Sequence, residues 1–325
     1  MTNPLFHADE LEAQRRAGGG PPGVGIYDFM PEQHRMFFER LRYLFLGTTD
    51  AAGWPLASLL WGDVSFTQSP DPVTLRINRL PEPADPISAS IRSGKDIALL
   101  GIDLSTRRRN RANGQIRSAD EHGFTMSVFR SFGNCPQYIQ RRSVEMAESP
   151  DASRGDSNTR GAPAEVLQTL DDDARSLIAQ ADTLFVASRS RPDVDSESAG
   201  ADISHRGGRP GFVRVMDDTL TIPDFRGNRY FNTLGNLLGD PRAGLLFIDF
   251  TRGDLLQLQG RVEIDWSAKA SHLFEGAERL WRFQVTQAWR RRGTPLRASF
   301  MDFSPVTLRT GRWLDPDTAT ASPAA

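Results

Sequence analysis

The sequence holds one cysteine, Cys135, in 325 residues. An internal disulfide framework is therefore excluded, as is a zinc or iron–sulfur site built on several cysteines. Lysine is almost as scarce. Lys95 and Lys269 are the only two, so nearly all of the 39 basic side chains are arginine. No stretch approaches the roughly 18 apolar residues of a membrane-spanning helix. The first residues carry acidic side chains and no apolar core of a secretory signal. The five histidines (His7, His34, His122, His205, His272) show no ligand spacing, so a dedicated metal site is not expected. There is no G-x-S-x-G elbow. Gly94-Lys95 lacks the rest of a P-loop. Gly18 to Gly23 matches G-x-G-x-x-G in form only, since it follows no strand, opens no helix and holds two prolines. With 39 basic against 41 acidic residues the net charge is -2, unlike a nucleic-acid binder. A cytoplasmic protein with no nucleic-acid or membrane partner is the expectation.

What is present divides the chain. Residues 1–25 and 315–325 read as flexible ends, and the polar, turn-rich stretch 149–163 reads as a linker between domains at 26–148 and 164–314. Each half opens with a helical pattern, Pro31 to Leu44 and Ala164 to Ala181. A short β run follows in each, Leu44 to Thr48 and Leu184 to Ser188, offset by 140. Further on the offset is 146. Ser58 to Gly62 aligns with Ser204 to Gly208, Phe66 with Phe212, Leu99 to Asp103 with Leu245 to Asp249, and Gly114 with Gly260. The six-residue change falls in the hydrophilic segment Arg189 to Gly200. Four features in register point to an internal duplication. After its helix each half alternates as β structure, as in Leu255 to Gly260 and Leu280 to Trp289, with a helix at Arg229 to Leu238 in the second. The expected class is mainly β with flanking helices (α+β), each half a six-or-so-stranded antiparallel barrel.

Arginine is the second signal. Codon bias is the plain reading of most of these residues, and location decides which ones bind anions. Ser204, His205 and Arg206 close a β run and precede Gly207 and Gly208, which permit positive φ or a close approach. With two exposed amides they would form an anion pocket. Pro223, Asp224, Phe225, Arg226, Gly227, Asn228 and Arg229 follow, just before a helix whose N-terminus favours phosphate. The competing reading is a tight turn with an Asn cap and solvated arginines. The first-half equivalents, Ser58-Leu59-Leu60 and the turn at Asn78-Arg79-Leu80, lack that chemistry. Conversely, the run Arg107 to Arg111 has a bland counterpart at Gly253 to Gln257. The halves look complementary.

The tandem halves, DISHRGG-x-PGFV, IPDFRGN, LLFIDF, STRRRNRANG and FGNCPQYIQRR together resemble the pyridoxamine 5′-phosphate oxidase-like FMN-binding split-barrel superfamily, in its tandem two-barrel branch of predicted flavin-nucleotide-binding proteins. The resemblance implies two split β-barrels paired as a pseudo-dimer with FMN held between them. Its implied cofactor residues here are Ser204, His205, Arg206, Asp224, Arg226, Asn228 and Arg229 from the second half. The first half would add Arg107, Arg108, Arg109 and Asn134. Gln257 and Gln259 would meet the ring edge, or else form an ordinary solvent face. The R-L-H-type segment of the oxidases themselves is missing, so pyridoxamine phosphate is not the expected substrate. Cys135 reads as a small residue before a proline turn, and no catalytic residue is assigned. The leading expectation is an FMN-dependent oxidoreductase acting on a small molecule, with NAD(P)H as reductant. The alternative is a non-catalytic flavin- or haem-binding carrier or sensor. A monomer and a homodimer both remain open.

Overall fold

The computed structural model describes residues 5–133, 135–147, 163–194, 198–267 and 270–314. The first half runs α1 (Ala8–Arg16), β1 (Ile26–Tyr27), α2 (Glu32–Arg40), β2 (Tyr43–Thr49), β3 (Pro55–Trp61), β4 (Thr67–Asp71), β5 (Thr74–Ile77), β6 (Asp96–Asp103), β7 (Arg108–Asp120), β8 (Gly123–Gly133) and β9 (Arg141–Met146). The second runs β10 (Glu165–Leu167), α3 (Asp172–Gln180), β11 (Thr183–Arg189), β12 (Ala201–Gly207), β13 (Arg214–Met216), β14 (Thr219–Phe225), α4 (Asn232–Gly239), β15 (Arg242–Asp249), β16 (Asp254–Asp265), α5 (Ala270–Leu273), β17 (Ala277–Arg291) and β18 (Leu296–Asp302).

The strand order is β3-β2-β6-β7-β8-β5-β4 with β1 on β8, and β12-β11-β15-β16-β17-β14-β13 with β10 on β17. Each strand of the first sheet has its counterpart nine strands later, so the fold is mainly β and duplicated, as expected, with eight strands in each sheet. Register carries the duplication to single residues. Phe45 pairs with Leu59 and Leu100, and Phe185 pairs with His205 and Leu246. The 140 and 146 offsets thus belong to one repeat, and the six extra residues lie between β11 and β12. Even the β-bulges repeat, at Asn113/Gly114 and Gln259/Gly260. A Cβ on Gly114 would strike the Ser127 carbonyl, and one on Gly260 the Gln284 carbonyl, so both bulges need glycine.

Leucines, isoleucines and phenylalanines from β2, β3 and β5 to β8 meet in one core, which requires the first sheet to wrap around it; the second half repeats this. A third apolar cluster lies between the halves, where the Phe45 and Phe185 rings stack with centroids 3.6 Å apart. These are equivalent residues, so the pseudo-twofold axis passes between them. β9 and β18 pair antiparallel and tie the halves together again. Arg142, just inside β9, crosses to the second half and gives Asp182 two 2.8 Å hydrogen bonds.

Several sequence expectations need correction. Residues 8–16 of the supposed flexible N-terminus form α1, which docks on α4. His7 Nε2 lies 2.8 Å from Asn236 Oδ1, and Asn232 Nδ2 donates to Glu10 Oε1 at 2.6 Å. Burial, helped by Asp202, pushes the Glu10 carboxyl up to about 8. The second-half helix starts at Asp172, where Asp171 caps it by accepting from the Ala174 N–H; residues 165–167 instead join β17 as β10. The first-half helix ends at Arg40, and Leu44 belongs to β2. α4 begins at Asn232 because Arg229 and Phe231 adopt φ of 62° and 59°, outside any right-handed helix. All but the last residue of the expected linker, and the tail from 315, lie outside the described residues. No helix among the described residues is long and apolar enough to cross a membrane.

Candidate functional site

Strand alternation delivers arginines from both halves to one cleft. β7 runs antiparallel to β6, with Arg109 opposite Ile102 and Arg111 opposite Leu100. Two residues apart, Arg109 and Arg111 point to the same side, where both line the cleft. From the second half come Ser204, His205 and Arg206 on β12, Asp224 and Phe225 at the end of β14, and Arg279 on β17. The loop Gly227 to Phe231 and the first turn of α4 form another wall, and Cys135 and Tyr138 of the first half close the rim. The cleft opens to solvent at its mouth.

The charges in this cleft are unequal. Arg111 Nη1 reaches Asp202 Oδ1 at 2.6 Å. Arg206 pairs with Asp224, and Arg279 Nη1 holds the other oxygen of Asp224 at 2.5 Å while its Nη2 reaches Glu278 at 3.0 Å. That leaves Arg109 and Arg229 without a carboxylate among the described residues. Burial, with Arg111 and Arg206 close by, pulls the Arg109 guanidinium down to about 9. The buried Nε atoms of Arg109, Arg111, Arg206 and Arg229 have no hydrogen-bond partner. His205 is 5% exposed, packs edge-on against Phe185, and has no partner at either ring nitrogen. Burial, then Arg109, Arg142 and Arg206, hold its pKa well below the usual imidazole value, so it stays neutral.

The backbone is strained at the same place. Tyr138, Arg229 and Phe231 all take positive φ, at a cost of about 1–3 kcal/mol each. The side chains there pack closely: Tyr138 stacks on Phe225 at 5.3 Å and 22°, and Arg279 lies 4.9 Å from the Phe231 centroid. Tyr138 Oη donates to the Arg226 carbonyl at 3.0 Å. Arg229 itself donates to the Ala17 carbonyl, so the N-terminal segment braces the loop from behind.

Of the residues expected from sequence, Ser204, His205, Arg206, Asp224, Asn228, Arg229 and Arg109 line the cleft. Arg226 does not; its side chain is exposed beside the mouth. Arg107 turns away to the Ile139 carbonyl and Asp302. Arg108, on the opposite face of β7 from Arg109, lies over the Phe37 ring at 4.9 Å. Gln257 and Gln259 face neither solvent nor the cleft. Gln257 donates to the Ala57 carbonyl and Asp85, and Gln259 to Asp50, holding the two halves together. Asn134 lies outside the described residues. Gly207 and Gly208 do not supply a pair of free amides. The Gly208 N–H donates to the Asp182 backbone carbonyl, and neither glycine has positive φ. Gly207 is needed because a Cβ would strike the Tyr138 carbonyl, and Gly208 because one would strike the Phe212 ring. Arg279, Tyr138 and Phe231 were missed. Arg279 sits just before the alternating run of β17, and nothing local marks it.

No protein-family model and no curated protein matches the chain. Solved structures similar to it include HupZ of Group A Streptococcus, at 14% identity and TM-score 0.30, covering 38% of this chain and 96% of that one. A FAD-binding protein from Mesorhizobium loti matches at 14% identity and TM-score 0.26, covering 40% and 99%. HutZ, the heme storage protein from Vibrio cholerae, matches at 12% identity and TM-score 0.26, covering 38% and 96%.

Proposed function

We propose that the cleft between the halves binds flavin mononucleotide, and that the chain uses it for hydride or electron transfer with a small organic substrate. The observation carrying this reading is the pair Arg109 and Arg229, two guanidiniums in one cleft with no carboxylate among the described residues. Both side chains are half-buried, and although Arg229 donates to the Ala17 carbonyl, neither positive charge is balanced by a carboxylate, which is costly away from water. A phosphate monoester, with a charge of about -1.5 to -2 at neutral pH, would satisfy both. Tyr138, Phe225 and Phe231 offer aromatic surface beside that charge for a planar ring. Of the runs that resemble the flavin-binding family, DISHRGG, IPDFRGN, STRRRNRANG and FGNCPQYIQRR each contribute residues to this cleft, while LLFIDF does not.

A flavin so bound supplies the redox chemistry. The chain's part is to bind and orient it. Arg109 and Arg229 would hold the phosphate, with Arg206 and Arg279 kept in place by Asp224. His205, neutral near pH 7, offers one donor and one acceptor nitrogen and no stored proton. NAD(P)H is the proposed reductant. One chain builds both walls of the cleft, so the site needs no second copy.

Titration with FMN and with riboflavin, followed by flavin fluorescence, tests the phosphate contacts. Two charge-assisted hydrogen bonds at about 1.5–3 kcal/mol each make FMN at least about a hundredfold tighter. Equal affinities would remove the phosphate clamp. Oxidation of NAD(P)H by the FMN-loaded protein then separates an enzyme from a carrier. The unpartnered nitrogens of His205 favour one second reading, a haem ligand. A Soret band on adding hemin, lost in His205→Leu, would support it over flavin.

A further inference from the structure

We propose that the first half carries a second anion site, equivalent to the cleft of the second half, which the chain fills with its own carboxylate, Asp85. The sheet register defines the place. Ser58 pairs with Leu46 as Ser204 pairs with Val186, so the two serines are equivalent. Gln257 pairs with Leu246 as Arg111 pairs with Leu100, so Gln257 stands where the cleft has Arg111. By the same register Leu255 stands where the cleft has Arg109.

At this position the carboxylate of Asp85 is 2% exposed and takes four hydrogen bonds. Ser58 Oγ and Arg291 Nη1 donate to Oδ2, the latter at 2.6 Å. Gln257 Nε2 at 3.0 Å and the Ile87 N–H at 3.1 Å donate to Oδ1. Ser58, Gln257 and Arg291 are themselves buried. One hydroxyl, one amide side chain, one guanidinium and one backbone N–H, contributed by both halves, form an anion receptor. Its occupant arrives on the segment between β5 and β6, where the second half has the open loop leading into α4. Trp61, the counterpart of Gly207, lies near Arg291 at 5.9 Å and adds bulk where the second half has none. The ligand class is a carboxylate or phosphate oxyanion, and the intact chain offers this site to no external one. The Asp85 receptor rests on its own contacts, and calling it the counterpart of the cleft's site rests on the proposed reading of that cleft; the formate experiment tests the receptor alone.

Chemical rescue tests it. Asp85→Ala should lower the thermal midpoint, and sodium formate should restore it in a saturable way, while chloride at equal ionic strength should not. Wild type should show no formate response beyond that of chloride. Asp85→Asn keeps the space filled and should show no rescue. Adding Arg291→Met to Asp85→Ala should abolish the formate response. If Asp85→Ala is recovered unfolded, refolding yield in formate against chloride becomes the readout. Equal formate and chloride effects on Asp85→Ala, in either readout, overturn the proposal. Equal rescue of Asp85→Ala and Asp85→Asn does so as well.

Discussion

Two places in this molecule share one backbone frame and hold opposite chemistry. Along β12 the second half presents Ser204, His205, Arg206 and Gly207; along β3 the first half presents Ser58, Leu59, Leu60 and Trp61 at the same registers. Opposite the first set stand Arg109 and Arg111, and opposite the second stand Leu255 and Gln257. Only the serine is retained. The first-half position is closed, its one strong cation answered by Asp85 and Glu82. The second-half position is open, and two of its cations lack an answering carboxylate among the described residues. A duplicated fold supplies two equivalent sites. Divergence has let the chain satisfy one internally and leave the other with two cations that no carboxylate answers among the described residues.

The largest expected effect comes from removing the unanswered charges. Arg109→Ala with Arg229→Ala should weaken FMN by about 3–6 kcal/mol, two charge-assisted contacts together. Arg206→Ala should cost less, because Asp224 already engages that guanidinium. Arg226→Ala should resemble Arg309→Ala, both being exposed side chains outside the cleft, with little change in affinity. The sequence ranks Arg226 beside Arg206; the structure separates them. Dissociation constants for the four variants decide the point, and an Arg226 effect as large as the double variant's would move the phosphate to the mouth.

The next effect tests how the halves meet. Gly207→Ala pushes a methyl group into the Tyr138 carbonyl, so backbone of one half must move. Such overpacking costs typically about 1–3 kcal/mol. Gly227→Ala, which meets nothing within 4 Å, should cost far less. Denaturant midpoints of the two variants should differ in that order. A Gly207→Ala protein as stable as wild type would mean that the first-half rim yields readily.

The fold was legible from the sequence because repetition is a register signal. Leu99 to Asp103 and Leu245 to Asp249 mark one buried strand twice, and alignment needs no knowledge of contacts. The site was legible where chemistry and backbone coincide on one strand, as at Ser204 to Arg206. It was illegible where strand direction decides. In the run Arg107 to Arg109, only Arg109 faces the cleft, since Arg108 lies on the other face of β7 and Arg107 belongs to the preceding turn. Gln257 and Gln259 alternate as the sequence suggests, but what covers their face is the other half of the chain. Asp85 sits in an unpatterned Pro-rich segment, and its four donors converge only in three dimensions.

The smallest expected effect concerns the histidine by which the two strands differ. His205 is buried and neutral, with a folded pKa well below that of the unfolded chain, and its counterpart Leu59 cannot titrate. As pH falls below about 6.5 the unfolded chain binds a proton that the folded chain refuses. Stability from this group is therefore full above that pH and is lost as pH falls, with a limiting slope of about 1.4 kcal/mol per pH unit. His205→Leu makes the second strand match the first at this position and should flatten that part of the acid limb, leaving stability near pH 8 little changed. The measurement is the difference between variant and wild-type unfolding free energies from pH 5 to pH 8, in which the carboxylates common to both proteins cancel. Parallel curves would mean that His205 accepts a proton in the folded state, which requires an anion close enough to offset Arg109, Arg142 and Arg206.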